Sequence, residues 1–573
     1  MLGQRSTQPG LFDADTMYLD FVGRDSFYGF LAAQRSSLFK DADFVDLYCT
    51  DNGRDSVPPS LLSTALLLQA HDRVSDEEAT NRADYDLRWK VALGIALDEH
   101  PFAKSTLQLF RAQLILNDKA RLVFKKSLDF ARETGYLKHR KIRAVLDTTF
   151  ILGAGAVKDT FNLLADGIVK LVGVLAGLAG QAPAAWAADN NLARYFAPSI
   201  KGTAEINWDD KAERQTFLQG IVADADRLLA EARAILAQYA DGVPEKQAIR
   251  EAADLLAQLL LQDIERTPAG ATLKEGTSPD RIVSVHDPEM RHGHKSASVR
   301  FEGHKAAVAI DPESQLITAA GILPGNAQDS EQALDLVKQS EENAQATVDE
   351  TIGDGAYGLG PTRQAFAEQH RTLIAPVPSS GQGKVFSKDV FAIDPVAQTC
   401  CCPAGHVTQV LVPAGTYIDR RGERVVRQAF QFPTEVCAAC PLRAQCTTAA
   451  QRGRQVMLHP QEALMQAARS FQQSDAYAPY RKLRQAVEHR LARLVQLGLR
   501  QARYVGRIKT LFQLLLAATV ANLTLVATKT GLMRGRKGQQ DPVLSHLLSV
   551  LAVVTALVIV LVVPQTAKQP VLG

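Results

Sequence analysis

Residues 141–150 read KIRAVLDTTF, a short β-branched and apolar run that closes on a carboxylate, Asp147. A run of this length and composition is a buried strand, and an acid beside a buried strand must be solvated, paired or metal-bound. The arrangement recurs downstream. Residues 346–352, ATVDETI, form a second strand-like run that leads into Gly353-Asp354-Gly355-Ala356-Tyr357-Gly358, where glycine permits a tight turn and close approach of a ligand. Taken singly, each acid is equally well read as a turn former or a helix cap.

Working outward from these two strands, more β structure lies between them. RIVSVHD (281–287), HKAAVAI (304–310) and QLITAAGIL (315–323) read as a strand set, with Asp311-Pro312-Glu313-Ser314 as a hairpin turn. A helix is expected from Asp329-Ser330-Glu331 to about residue 342, and a further strand over 371–377. Residues 16–140 read as helical: Pro58-Pro59-Ser60 precedes LLSTALLLQA as a helix start, and Ser75-Asp76-Glu77-Glu78 begins another helix with acids in its first turn. From 157 to 262, apolar pairs such as Ile221-Val222, Leu228-Leu229 and Ile235-Leu236 recur every seven residues, which suggests paired helices. Residues 379–470 are a Gly, Pro and Cys-rich insert, and 480–528 read as a long helical region.

The whole chain has 573 residues, a net charge of +2 and 46% hydrophobic residues. These values exclude a disordered chain and a small disulfide scaffold, and the charge balance identifies no partner. The start, MLGQRSTQPGLFDADTMYLD, has no apolar core of signal-peptide type, which disfavours export by that route. Residues 547–563, LLSVLAVVTALVIVLVV, sit at the lower limit of a membrane span, preceded by Arg534, Arg536 and Lys537. The reading preferred here is an apolar helix loosely attached or buried by a partner, with no membrane anchor.

Local charge is more informative. Between residues 476 and 540 there are 13 Lys or Arg and a single acid, Glu488. An i,i+4 pair with Arg484 is worth only a few tenths of a kcal/mol and does not account for the missing acids. A surface that holds a phosphate backbone does, because Lys and Arg gain from counterion release while every added carboxylate repels the polyanion. An acid retained there suits a divalent cation beside the phosphate.

Six of the 7 cysteines fall between Cys400 and Cys446, a local cluster rather than a disulfide framework. Cys437-x2-Cys440-x5-Cys446 with Cys402 is a candidate tetrahedral zinc set, Cys400, Cys401 and His406 being alternates. Free thiols or a redox pair are the competing reading, and Cys49 is expected in the core. The stretch His286 to Lys295, with His292 and His294, reads either as a metal site or as a solvated, DNA-facing loop.

Three carboxylates on separate elements, two at strand ends and one on a late basic helix, resemble the catalytic set of DDE transposases. GRDSVPPSLLSTALLLQA, SDEEATNRADYDLRWKVALGI and FRAQL look like the helical N-terminal domain of bacterial insertion-sequence transposases. LDTTFILGAGAVKDTFNLL, TIGDGAYG and YRKLRQAVEHRLARLVQLGLRQARYVGRIKTLFQLLLAATVANL resemble the three catalytic segments in order. The resemblance implies an α/β fold with a ribonuclease H-like mixed-sheet core and Asp147, Asp354 and Glu488 as ligands of Mg2+ or Mn2+. Asp287 is the alternative first acid. The signature around the Glu matches in part: Arg484 fits, Tyr480 is one residue too far from it, and Val495 stands where a Lys is expected. DNA contacts are therefore assigned to Arg481, Lys482, Arg484, Arg490, Arg493, Arg503, Arg507 and Lys509.

The implied organisation is a helical DNA-binding and assembly domain (16–140), a first core strand (141–156), a helical insertion (157–275), the continued core (276–378), the Cys-rich insertion (379–470), the Glu helix with its basic closing region (471–530) and a basic linker with the apolar tail (531–573). The expected activity is cleavage at insertion-sequence ends and strand transfer into double-stranded target DNA, in the cytoplasm at the nucleoid, by at least a dimer. A non-catalytic DNA-binding derivative and a metal-dependent nuclease without strand transfer are the alternatives.

Overall fold

The computed structural model describes residues 1–5, 13–49, 53–240, 242–296, 298–378, 385–418, 422 and 424–534; the apolar tail at 547–563 lies outside the described residues. The chain divides into two compact units. The first comprises residues 1–117, 129–137 and the chain from 520 onward, and the second residues 118–128 and 138–519.

In the first unit the helices are short and begin where the sequence places their caps. Pro59 opens the helix Pro59–Asp72, whose Leu61, Leu62, Leu66, Leu67 and Leu68 are buried. Ser75 caps Asp76–Tyr85 by accepting from the Glu78 amide. Asp72 organises this unit: Tyr28 Oη donates to it at 2.9 Å, Trp89 Nε1 at 2.8 Å and Arg82 Nη1 at 2.9 Å. Burial opposes its ionisation, yet bonds from His71, Trp89 and Tyr28 hold its carboxyl down at about 2. Cys49, expected in the core, is exposed instead; the segment Asp41–Leu47 before it turns Phe44 inward and leaves the thiol at the surface.

The second unit is built on a six-stranded mixed sheet. Its strands are β1 (Lys141–Leu152), β4 (Arg291–His294), β5 (Arg300–Ile310), β6 (Ile317–Pro324), β7 (Thr347–Ile352) and β8 (Thr372–Ile374); β2 (Ile264–Thr267) and β3 (Gly270–Leu273) form a separate hairpin. β1 is central. It pairs antiparallel with β5, which in turn pairs antiparallel with β6 and β4, and on its other edge it runs parallel to β7, then β8. A β6-β5-β1-β7-β8 order, with three antiparallel strands followed by two parallel ones, is the ribonuclease H-like arrangement implied above. Ala144 and Leu146 pack with Ala307, Ala319, Leu336, Val337 and Phe366, so the helix Ala333–Ala344 is held against the sheet by small residues that let it approach closely.

One sequence reading is corrected here: residues 281–287 form no strand, and Ile282, Val283 and Val285 are buried in a loop because they pack as single side chains on their surroundings. The helical region expected over 480–528 forms as the helices Ala478–Leu483, Gln485–Leu494 and Arg507–Lys529, interrupted at Gly498, whose φ is +92°. The helical insertion forms as the heptad spacing implies, with Ile221, Val222, Leu228 and Leu229 of Lys211–Leu236 buried against Thr160–Leu178 and Pro244–Asp263. Two helices, Thr160–Leu178 and Arg507–Lys529, are long and apolar enough to cross a membrane, and 56% and 83% of their apolar windows are buried inside the protein.

Candidate active site

The register of the parallel pair brings the first two acids together. Val145 of β1 stands beside Ile352 of β7; two residues further along come Asp147, still within β1, and Asp354, in the turn just after β7, where it lies close enough to act electrostatically on Asp147. β7 ends at Ile352, because Gly353 donates to Ile374 and the chain then turns: Asp354 Oδ1 accepts from the Ala356 amide at 2.9 Å, and the Tyr357 amide donates to the Asp354 carbonyl at 3.1 Å. Gly353 is required by packing, since a Cβ there would lie 2.7 Å from the Tyr357 side chain.

Asp147 is half-buried and accepts from the Thr148 amide at 2.7 Å. Burial pushes its carboxyl up to about 6, and the neighbouring acids Asp354 and Asp329 push in the same direction against Arg484. Asp329, just before the helix Ala333–Ala344, is itself held by Lys305 Nζ at 2.7 Å. Tyr357 is fully buried beside the same three acids, and its hydroxyl has no hydrogen-bond partner. Neither Asp329 nor Tyr357 was singled out as a site residue from the sequence. Tyr357 lies three residues after Asp354 and reads as core, whereas Asp329 reads as a helix start.

The third acid rides on Gln485–Leu494, which packs Ala486, Val487, Leu491 and Leu494 inward and lies against β1 and β5. Tyr480 anchors the preceding turn by donating to Glu350 of β7 at 2.7 Å. Arg484 faces Asp147 electrostatically, and Glu488, one turn further along the same side, is exposed. Among the described residues no three His, Cys, Asp or Glu side chains form a group ready to hold a metal. Asp147 and Asp354 are thus brought together, and Glu488 stands on the helix that covers their strand without closing on them.

Past the acids, β1 gains a new neighbour. The Leu152 amide donates to Arg500 and the Ala502 amide to Leu152, at 2.9 and 2.8 Å, while the Arg500 guanidinium lies 3.8 Å above the Phe150 ring and donates to the Phe150 carbonyl. The basic segment after the Glu helix is thereby fixed to the end of the Asp147 strand. Arg481, Lys482, Arg503 and Lys509 are exposed, Arg484, Arg493 and Arg507 half-buried, and Arg490 buried. Arg507 is engaged by Glu289, Nε to Oε1 at 3.1 Å.

Asp287 occupies different surroundings. It is fully buried, with His304 Nε2 3.5 Å from its Oδ2. Although burial opposes it, His304 and the amides of Gly506 and Glu289 lower its carboxyl below the ordinary value. His292 pairs with Glu302 at 3.0 Å and packs edge-on against His294, so these histidines serve the β4–β5 pair.

The carboxylate pair fits a divalent cation. Two neighbouring acids, one of them half-buried and pushed up to about 6, carry a charge that a bound cation would relieve.

Comparison with known families follows this geometry. A model described as a transposase DDE domain matches residues 401–527, which include Glu488, and a model described as a transposase domain of the DUF772 type matches residues 19–113. No curated protein and no solved structure matches the chain. The matches support a transposase, and the mixed sheet is that of a ribonuclease H-like core. Within that class the two matches support a DDE-type insertion-sequence transposase.

Proposed function

We propose that this chain cuts the phosphodiester at the ends of its insertion sequence and joins the freed 3′-hydroxyl to target DNA. The observation that supports the reading is that Asp147 within β1 and Asp354 in the turn after β7 neighbour one another, with the helix that bears Glu488 packed on β1. Asp147, Asp354 and Glu488 would hold Mg2+ or Mn2+, which when bound supplies Lewis-acid activation of water and stabilises the leaving oxygen. Ionised Asp147 and Asp354 would draw the cation to them, and Lys305 fixes Asp329 nearby. Arg481, Lys482, Arg503 and Lys509 lie exposed where a phosphate backbone gains from them. Glu488 completes the set by a side-chain and helix adjustment when DNA and metal are present. Two ends are cut together by at least a dimer on DNA, acting in the cytoplasm.

The test is cleavage and strand transfer on a labelled duplex carrying the element's terminal repeat. Metal-dependent nicking followed by joined product supports the reading. Nicking alone leaves a nuclease without strand transfer. Binding without any nicking in Mg2+ or Mn2+ favours the DNA-binding derivative, which the separation of Glu488 from the two aspartates would then explain.

A further inference from the structure

The Cys-rich insertion carries chemistry that phosphodiester cleavage does not use. Its buried core is small: Phe391, Ile393, Cys400, Phe430, Phe432 and Val456, borne on short strands such as Ala392–Asp394, Thr399–Cys401 and Arg424–Gln431. So little apolar burial seldom holds a segment of this length without a cross-link or a metal.

Four thiols line one small cavity at the margin of that core: Cys402, Cys437, Cys440 and Cys446. Two separate turns deliver them. Cys402 heads a tight knuckle in which its amide donates to the His406 carbonyl at 2.9 Å and the Gly405 amide donates back to the Cys402 carbonyl at 2.8 Å, with Gly405 at φ +83°. Cys437 and Cys446 end two short helical turns, Thr434–Ala438 and Arg443–Cys446, with Cys440 between them, its amide directed to the Cys437 carbonyl. The Arg454 amide donates to Cys437 Sγ at 3.4 Å, and the Arg454 guanidinium ties the Cys446 and Phe386 carbonyls together at 2.7 and 2.9 Å.

The same geometry eliminates the other cysteines that the spacing left open. Cys400 is fully buried in the core and does not line the cavity. Cys401, the next residue along the strand, points away from it and directs its sulfur to the Cys402 carbonyl.

We infer that Cys402, Cys437, Cys440 and Cys446 are the four ligands of a structural zinc ion that joins the knuckle at 402–406 to the turns at 434–446. Among the described residues no three His, Cys, Asp or Glu side chains form a ready metal-binding group; the four thiols share one cavity, and bound zinc would hold them at about 2.3 Å. The four thiols lose their protons to solvent as the zinc–sulfur bonds form. Four protein ligands leave no open position, so the ion is structural and takes no part in water activation. This inference stands independently of the transposase reading.

The test uses the full chain purified under reducing conditions without chelator. Elemental analysis should give about one zinc per chain, and exchange into Co2+ should give the visible absorption of tetrahedral cobalt thiolate. Cys401→Ser should keep both signals and Cys440→Ser should lose both. Cys440→His, which can still ligate, should retain the metal and shift the cobalt spectrum, which guards against simple misfolding of the Ser variant. A chain whose thiols all react with a thiol reagent and which takes up neither metal overturns the assignment. So does equal metal loss in Cys401→Ser and Cys440→Ser, or a disulfide among these four cysteines in reduced protein.

Discussion

Asp147 and Asp287 are two acids of the same sheet region, both readable as the end of an apolar run, and their surroundings set them apart. Asp147 faces other acids and is pushed up to about 6; Asp287 faces His304 and two backbone amides and is held below its ordinary value. At Asp147 the neighbouring acids add to the effect of burial, and either a proton or a bound cation relieves the charge. At Asp287 the charge is offset by His304 at 3.5 Å and by backbone amides, although its buried oxygens lack a close hydrogen-bond partner. Burial alone therefore does not single out a candidate ligand, whereas burial among like charges makes one.

The largest expected effect separates the two directly. Asp147→Asn, Asp354→Asn or Glu488→Gln should each reduce end cleavage by about a thousandfold or more, since each removes several kcal/mol of metal-borne charge stabilisation. DNA binding in a gel-shift assay should stay intact or tighten. Near-normal cutting by Asp147→Asn would transfer the first role elsewhere and dissolve the comparison.

Next comes stability. Asp287→Ala leaves the buried His304 ring without its nearest polar partner, and a buried polar group so orphaned costs about 1–3 kcal/mol. The loop carrying Asp287 also carries Glu289, which accepts from the Arg507 amide at 2.6 Å at the start of the helix Arg507–Lys529, so damage should spread to that helix. Thermal unfolding should shift down clearly for Asp287→Ala and little for Asp147→Asn. Equal shifts would mean that both acids are structural.

The pH dependences should then run in opposite directions. Asp147 has a raised folded value, so the metal-free protein gains stability from it as pH falls through about 6 towards the ordinary carboxylate value of about 4, and loses that gain as pH rises back through about 6. Asp287 has a lowered value, so its contribution is present above the ordinary carboxylate range of about 4 and disappears on further acidification. Cation binding requires ionised Asp147, so Mn2+ affinity should fall about tenfold per unit below pH 6. Titration calorimetry in two buffers of different protonation heat should detect a proton released near that pH, and Asp147→Asn should abolish it.

Much of this was legible in the sequence, for physical reasons that also mark where legibility ends. The strand through Asp147, the helical insertion and the helix caps at Pro59 and Ser75 are written in local periodicity and turn chemistry, and they form where expected. RIVSVHD fails as a strand because its apolar residues are buried singly in a loop, and alternation within seven residues cannot distinguish the two cases. The break at Gly498 was equally hidden, since the apolar spacing continues on both sides of it. Lys305 and Asp329 meet only because β5 and the start of Ala333–Ala344 are brought together by tertiary packing, and no local pattern predicts such a pairing.

The smallest effect is the most discriminating for the acid cluster itself. Tyr357 is fully buried among Asp147, Asp329 and Asp354, with a hydroxyl that has no partner. An unsatisfied buried hydroxyl ordinarily costs about 1–3 kcal/mol, so Tyr357→Phe should leave stability unchanged or raise it slightly if the ring matters only as core packing against Gly353. If the hydroxyl instead turns to donate to an ionised aspartate when the site is loaded, the same change should leave metal-free stability intact or better and weaken Mn2+ binding by a few fold, about the worth of one hydrogen bond to a charged group. Thermal unfolding with and without Mn2+ separates the two: a shift that is the same in both conditions assigns Tyr357 to the core, and a metal-induced gain that shrinks in Tyr357→Phe assigns it to the carboxylates. Tyr357→Phe should also leave the acid-side stability profile of the Asp287–His304 pair untouched, and any change there would show that the two acid environments are not independent.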